Sequence, residues 1–248
     1  MKKAVKRVLL GIGIVIFAFV LLFVGYTMKA KSELKKMSTI ATQEVVDNIF
    51  SVQDSFANLY LIKDGQKYIA IDAGNSIDAV SAELTKLSID PDSVVAVLLT
   101  HTDGDHVAAI KLFRNAKVYI SKAEEQLLTG EKYRFLFFGN KINTKEYSTL
   151  DDQQVFYIGN VKIKTILTPG HTVGSMCYLV NNKYLFTGDA LSLKNGKIDR
   201  FNEFFNTDTK TAVESMGMLI KITEAEYIFT SHYGYTDNYK GAVADWDR

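Results

Sequence analysis

Residues 94–100 run Val-Val-Ala-Val-Leu-Leu-Thr, with no charge and no polar side chain before the final threonine. A strand with one wet face alternates apolar and polar residues, so this segment must be covered on both faces. That requirement confines the chain to a layered architecture with helices outside sheets. The flanking sequence supplies the layers. Residues 57–62 and 67–72 form a strand pair turned at Lys63-Asp64-Gly65. Residues 77–87 place Val80, Leu84 and Leu87 on one helical face, and Asp90-Pro91 breaks the chain before the apolar run. Helices are expected at 107–113 and 209–222, and strands at 117–120, within 155–167 and 176–187, and at 226–230. A chain of 248 residues, 47% hydrophobic with two prolines, is long enough to bury one sizeable core of this kind.

The N-terminus follows a different rule. Residues 8–28 carry no charge over 21 positions and come after Lys2, Lys3, Lys6 and Arg7. At 1.5 Å per residue such a helix is roughly 30 Å long, the thickness of a bilayer's hydrocarbon core. It has no polar face, so a transmembrane anchor is expected rather than a core helix. Ala30-Lys31-Ser32 has the small-x-small form of a signal cleavage site. Secretory apolar cores are only about 7–15 residues, however, which favours an uncleaved anchor. The expected organisation is a basic tail at 1–7, an anchor at 8–28, a polar spacer at 29–49 and a folded catalytic domain at 50–248. Lys29, Lys31, Lys35 and Lys36 balance the four upstream positives, and the free amino end tips the orientation towards N-terminus inside. A single-pass protein of the cell membrane with an extracytoplasmic domain is therefore expected, with the lipid bilayer as partner of residues 8–28. Of 29 basic and 28 acidic residues, residues 1–37 hold eight and one, which leaves 21 and 27 beyond them, a net of −6. An acidic body counts against nucleic acid, which binds through lysine and arginine, and leaves a small-molecule substrate as the expected partner.

Chemistry gathers where apolar runs end. His101-Thr102-Asp103-Gly104-Asp105-His106 follows the buried strand directly. Pro169-Gly170 forces a turn before His171, Gly188-Asp189 closes another strand, and His232-Tyr233-Gly234 follows the last. These loops contain all four histidines of the chain. Imidazole and carboxylate are ligands for zinc and related divalent ions. Cys177 is the single cysteine and is expected as a small core residue.

The ordered set HTDGDH, TPGH, TGD and SHYG resembles the metallo-β-lactamase superfamily, over about residues 56–234. TPGHTVGS followed by a Gly-Asp strand end is similar to the glyoxalase II and lactonase branches. The resemblance implies an α+β fold, a four-layer αβ/βα sandwich following one transmembrane helix, with two Zn2+ per chain. By position, His101, Asp103 and His171 would hold one metal, Asp105, His106 and His232 the other, and Asp189 would bridge them. Asp72 matches a position that supports the metal loops, or else simply forms a turn before glycine. Hydrolysis of an ester, thioester, lactone or similar bond is implied, with Asp105 accepting the nucleophile's proton and Tyr233 donating to the oxyanion or packing as an aromatic.

Asp103 departs from the family pattern, which has histidine there. An oxygen ligand admits Mn2+ or Fe2+ at that site. The HxDxDH form is also similar to the nuclease domain of bacterial DNA-uptake channels, so a phosphodiesterase or nuclease is an alternative, as is a low-turnover metal-binding sensory module. Residues 121–143, with Tyr133, Phe135, Phe137 and Phe138, and residues 193–208, with Phe201, Phe204 and Phe205, are the expected walls of the substrate site.

Overall fold

The computed structural model describes residues 2–134, 138–144 and 146–246. The chain divides into two compact units, Met1–Met37 and Ser38–Arg248. The first is one helix, α1 (Lys2–Leu34). It outlasts the uncharged stretch because no proline interrupts it and Lys29 pairs with Glu33 one turn on. Its large apolar side chains are exposed, and it is long and apolar enough to cross a membrane.

The second unit holds two main sheets. The first contains β1 (Gln43–Val46), β2 (Ile49–Asp54), β3 (Ala57–Asp64), β4 (Lys67–Ile71), β5 (Val94–Leu98), β6 (Lys117–Ser121) and β7 (Ser148–Leu150), in that spatial order. It is antiparallel as far as β4 and parallel from there. The second is built from β8 (Val155–Ile158), β9 (Val161–Leu167), β10 (Met176–Val180) and β11 (Tyr184–Gly188). After a small separate hairpin of β12 (Ser192–Lys194) and β13 (Lys197–Asp199), it is completed by β14 (Tyr227–Thr230) and β15 (Tyr235–Thr236), in the order β15-β14-β11-β10-β9-β8. Helices α2 (Ile77–Lys86), α3 (Gly104–Val107), α4 (Glu125–Thr129), α5 (Thr209–Leu219) and α6 (Tyr239–Val243) complete the domain.

Strand alternation explains the layers. Leu59 and Leu61 of β3 point outwards and pack with Val80 and Leu84 of α2. Tyr60 and Ile62 point inwards, into one cluster with Met176, Tyr178, Val180, Phe186 and Phe229 of the second sheet. On the far side Cys177 and Leu179 of β10 meet Met216 and Leu219 of α5 and Tyr239 and Ala242 of α6. Three apolar seams separate four layers, the expected αβ/βα sandwich. Cys177 belongs to the outer seam, where burial pushes its thiol up to about 12.

The expected spacer ends earlier than position 49. Residues 38–49 cover the first sheet: Ile40 N–H donates to Asn58 Oδ1 (2.9 Å), Ser51 Oγ donates to Ala41 O (2.6 Å), and β1 pairs with β2. β1 is the exposed edge strand of the sheet, which lets it be polar, and its four residues are too few to show a period. The helix expected at 107–113 is also corrected. α3 starts at Gly104, and only a 3-10 turn, Ile110–Leu112, follows. Backbone bonds from Ala73 N to His106 O (2.7 Å) and from Ala108 N to Gly74 O (3.0 Å) staple this stretch to the end of β4 and prevent a longer helix.

The sheets are joined by hydrogen bonds where the histidine loops emerge. Tyr178 OH donates to Leu99 O (2.7 Å), Tyr60 OH to Thr230 O (2.8 Å) and Met176 N to Thr100 O (2.8 Å). The C-terminal ends of β5, β9, β11 and β14 are thereby brought to one edge of the sandwich.

Candidate metal centre

All seven sequence-predicted ligands meet at that edge. His101, Asp103 and His171 form one group able to hold a cation, and Asp105, His106 and His232 form another. In the first group His171 Nε2 lies 3.1 Å from His101 Nε2 and 3.2 Å from Asp103 Oδ2. In the second, Asp105 Oδ2 lies 3.6 Å from His106 Nε2 and 3.4 Å from His232 Nε2. Asp189 divides itself between them. Its Oδ2 is 3.4 Å from His171 Nε2 and 3.9 Å from His101 Nε2, while its Oδ1 is 3.2 Å from His232 Nε2 and 3.6 Å from His106 Nε2.

Glycines permit this convergence. Gly188 has φ +53°, and a Cβ there would stand 2.5 Å from Thr100 Oγ1. Only glycine lets the end of β11 carry Asp189 so close to the end of β5. At Gly170, φ +135°, a Cβ would stand 2.2 Å from the backbone nitrogen of Ala212 in α5.

Each imidazole is fixed through its other nitrogen. His106 Nδ1–H donates to Asp72 Oδ2 (2.8 Å), His232 Nδ1–H to the carbonyl of Phe56 (2.6 Å) and His171 Nδ1–H to Asn206 Oδ1 (3.3 Å). Thr100 spends its one hydroxyl proton on Asp72 Oδ2 (2.8 Å), so its oxygen accepts from His101 Nδ1–H at 3.0 Å. Four Nε2 atoms are left facing one another, each offering a lone pair when its ring is neutral. Asp72 also accepts from Thr100 N (2.7 Å) and adopts φ +63°, a left-handed backbone unusual for a residue other than glycine. It therefore supports the loop by holding both Thr100 and His106, as well as making the turn.

The electrostatics call for a cation. Burial opposes charge on His106, yet Asp72, Asp105 and Asp189 lift its pKa well above the ordinary imidazole value. Burial likewise works against ionised Asp189, but His232, His106 and His171 hold it well below the usual carboxylate range. Burial, with His106 and His171 nearby, pushes His101 well down, towards its neutral form. His106 Nε2, His232 Nε2 and Asp189 Oδ1 are buried with no well-aligned hydrogen bond, Asp189 Oδ1 standing 3.2 Å from the His232 nitrogen and 3.6 Å from that of His106. Such atoms are costly to bury unless something else satisfies them, and a divalent ion satisfies all three at once. The residues present thus fit a metal.

Other residues of the site carry no sequence signal. Glu124, one of two adjacent glutamates, is buried and joins two ligand loops. Its Oε1 accepts from Thr102 N and Oγ1 (2.8 and 2.7 Å) and its Oε2 from Thr172 Oγ1 and Gly174 N (2.7 and 3.1 Å). Burial raises its pKa against those bonds. Arg134 grips Asp103 with Nε and Nη2, and Asn140 Nδ2 donates to the same carboxylate at 2.8 Å. Of the expected walls, Phe201 is buried with its ring edge-on to His171 at 4.9 Å, and Tyr133 and Phe138 are exposed. Phe204 and Phe205 pack on each other, and Phe135 and Phe137 lie outside the described residues. Tyr233 is half-buried, with its ring edge-on to Phe201 at 6.1 Å.

Comparison with known proteins places this geometry. A family model described as the metallo-beta-lactamase superfamily matches residues 52–232. The chain is 36% identical over 137 residues to a probable polyketide biosynthesis zinc-dependent hydrolase, BaeB, of Bacillus velezensis, covering 53% of this chain and 54% of that one. It is 27% identical over 167 residues to an atrochrysone carboxyl ACP thioesterase of Aspergillus chevalieri, covering 66% and 50%. The chain thus spans about half the length of these curated relatives. Among solved structures, a B3 metallo-beta-lactamase with an active-site glutamic acid superposes with a TM-score of 0.66 at 19% identity, covering 88% of this chain and 89% of the other.

The role of Asp72 is open to a direct test. Asparagine tolerates the same left-handed backbone but presents no second anionic oxygen to His106. Asp72→Asn is expected to weaken zinc binding by roughly 10–100-fold, the range found for partners of ligating histidines, while far-UV circular dichroism stays that of the wild type. Competition titration against a chromophoric chelator measures it, and unchanged affinity would show that Asp72 serves the turn alone.

Proposed function

Because the chain belongs to the metallo-β-lactamase superfamily, we propose that it is a zinc-dependent hydrolase acting on a thioester or a related acyl bond of a small molecule. The observation that carries this reading is Asp189, a buried carboxylate with one oxygen turned to each histidine group and its Oδ1 otherwise unpartnered. The acyl bond class is supported by the relatives, one named as a probable zinc-dependent hydrolase of polyketide biosynthesis and one as a carboxyl ACP thioesterase. The net charge of −6 outside residues 1–37, from 21 basic and 27 acidic residues, argues against a polyanionic substrate such as nucleic acid.

In this reading His101, Asp103 and His171 form a first subsite and Asp105, His106 and His232 a second, with Asp189 shared. Bound zinc supplies a water of pKa lowered towards ~7 and a Lewis acid for the acyl oxygen. The oxygen of Asp103 makes the first subsite the one that admits Mn2+ or Fe2+. Asp105 is assigned as the proton acceptor: its side chain is 21% exposed against 4% for Asp189, and Asp103, 19% exposed, is already held by Arg134. Tyr233, next in sequence to His232, is assigned to the developing oxyanion. The rings of Phe56 and Phe201, 5.9 and 6.0 Å from that of His232, shield the imidazoles from bulk water.

Residues 8–28 are proposed to anchor the protein in the cell membrane with the domain on the extracytoplasmic side, which is supported by the length, apolarity and exposure of α1. A chain beginning at Ser38 is then expected to be soluble, with the full chain remaining in the membrane pellet after a high-salt wash. Full-length protein in the supernatant would remove the anchor.

The activity is tested with an acyl thioester, a lactone, nitrocefin and bis-nitrophenyl phosphate. Thioester hydrolysis that a chelator abolishes and zinc restores is the expected result. Asp189→Asn, which keeps the shape of the shared ligand, is expected to lower turnover by at least about a hundredfold, the upper end of what even outer partners of metal ligands cost. Hydrolysis of the phosphodiester alone would replace this reading with the phosphodiesterase one.

A further inference from the structure

The two subsites are not alike, and the difference comes from one side chain that the function has not used. Arg134 lies on the connection between α4 and β7, and its side chain is 18% exposed. Its Nε donates to Asp103 Oδ1 (2.8 Å), and its Nη2 donates to Asp103 Oδ2 (2.7 Å) and to the carbonyl of Phe205 (2.7 Å). Nη1 donates to Thr207 Oγ1 (3.0 Å), whose own hydroxyl donates to the carbonyl of His171 (2.8 Å). The guanidinium is thus held from two sides, by Asp103 and by the segment carrying Phe205 and Thr207. Its Nη2 also lies 3.3 Å from His171 Nε2, a lone pair that a metal in the first subsite needs. The oxygen it grips, Asp103 Oδ2, is the one nearest that nitrogen, at 3.2 Å. Among the described residues no Lys or Arg is paired with a carboxylate of the second subsite, where His106 Nε2 and His232 Nε2 face Asp105 and Asp189 instead.

We propose that Arg134 is a built-in cation of the first subsite, so that metal fills the Asp105–His106–His232 subsite first and enters the other only weakly. This rests on the reading of the cluster as a metal centre. A fixed positive charge a few ångströms away repels an incoming divalent ion, and in a buried site that repulsion is little screened. The same guanidinium consumes the negative charge of Asp103, which would otherwise attract the ion. Hydrolytic chemistry then centres on the second subsite.

The experiment is stepwise zinc titration of the full-length protein in detergent against a chromophoric chelator, with bound zinc counted by elemental analysis after dialysis. Wild type is expected to retain one zinc and to take a second at least roughly tenfold more weakly. His232→Ala is expected to remove the tight step and His171→Ala to leave it. Arg134→Met, which keeps the length and removes the charge, is expected to tighten the weak step by roughly 10–100-fold, the range over which groups around metal ligands shift affinity. Arg134→Lys, which keeps the charge and loses the fork, is expected to fall between. Two equally tight steps in the wild type, or a tight step lost in His171→Ala, would overturn the proposal and leave the hydrolase reading intact. Weaker binding in Arg134→Met would also overturn it, since Arg134 would then serve to position Asp103 as a ligand. Wild type that binds no zinc would remove this proposal and the hydrolase reading together.

Discussion

Every imidazole of the centre is held by Nδ1, and that constraint reaches back through the whole domain. An imidazole whose Nδ1–H is fixed has its tautomer and ring plane set, so its Nε2 lone pair points where the backbone sends it. The four anchors come from different places: Asp72 after β4, Thr100 after β5, Asn206 before α5 and the carbonyl of Phe56 before β3. Rings anchored so far apart converge only if the two sheets keep a fixed register. The tyrosine hydroxyls of Tyr60 and Tyr178, each bonded to a carbonyl of a neighbouring strand end, maintain it. Burial raises the pKa of both phenols, so they remain protonated donors.

The seven residues that converge are legible in the sequence because candidate metal ligands are rare residue types placed at strand ends. Four histidines, all in loops that follow apolar runs, are hard to place otherwise, and the buried run at 94–100 identified the strand carrying the first two. What stayed hidden is the layer behind the ligands. Glu124 sits beside Glu125, and nothing in the sequence separates the glutamate that joins two loops from the one that bonds Tyr147 at the surface. Arg134, Asn140 and Asn206 act across gaps of more than thirty residues, and such contacts leave no local period. Asp72 was half visible: the Asp-Ala-Gly turn showed in the sequence, but its bonds to Thr100 and His106 needed the fold. The early boundaries failed for a related reason. β1 is an exposed edge strand and residues 38–42 lead into it, and a polar stretch reads as a spacer unless its partners are known.

Asp103 joins these themes. A histidine at that position would bring a neutral ligand, and a guanidinium beside it would have no carboxylate to hold. With aspartate, Arg134 acquires a partner, the segment between α4 and β7 is tied to the centre, and burial does not prevent the carboxyl from staying ionised, since His171 and Arg134 hold it well below the usual range. One substitution in a ligand loop thus couples the wall of the site to the charge of its first subsite.

The central claim is that the convergent Nε2 atoms and Asp189 form a metal centre. Anomalous diffraction at the zinc absorption edge, from crystals grown with zinc, tests it most directly. A peak is expected at about 2.0–2.2 Å from His106 Nε2, His232 Nε2 and a carboxylate oxygen. A crystal grown with zinc that shows no anomalous peak among these atoms, with His106 Nε2 instead hydrogen-bonded to Asp189, would contradict it.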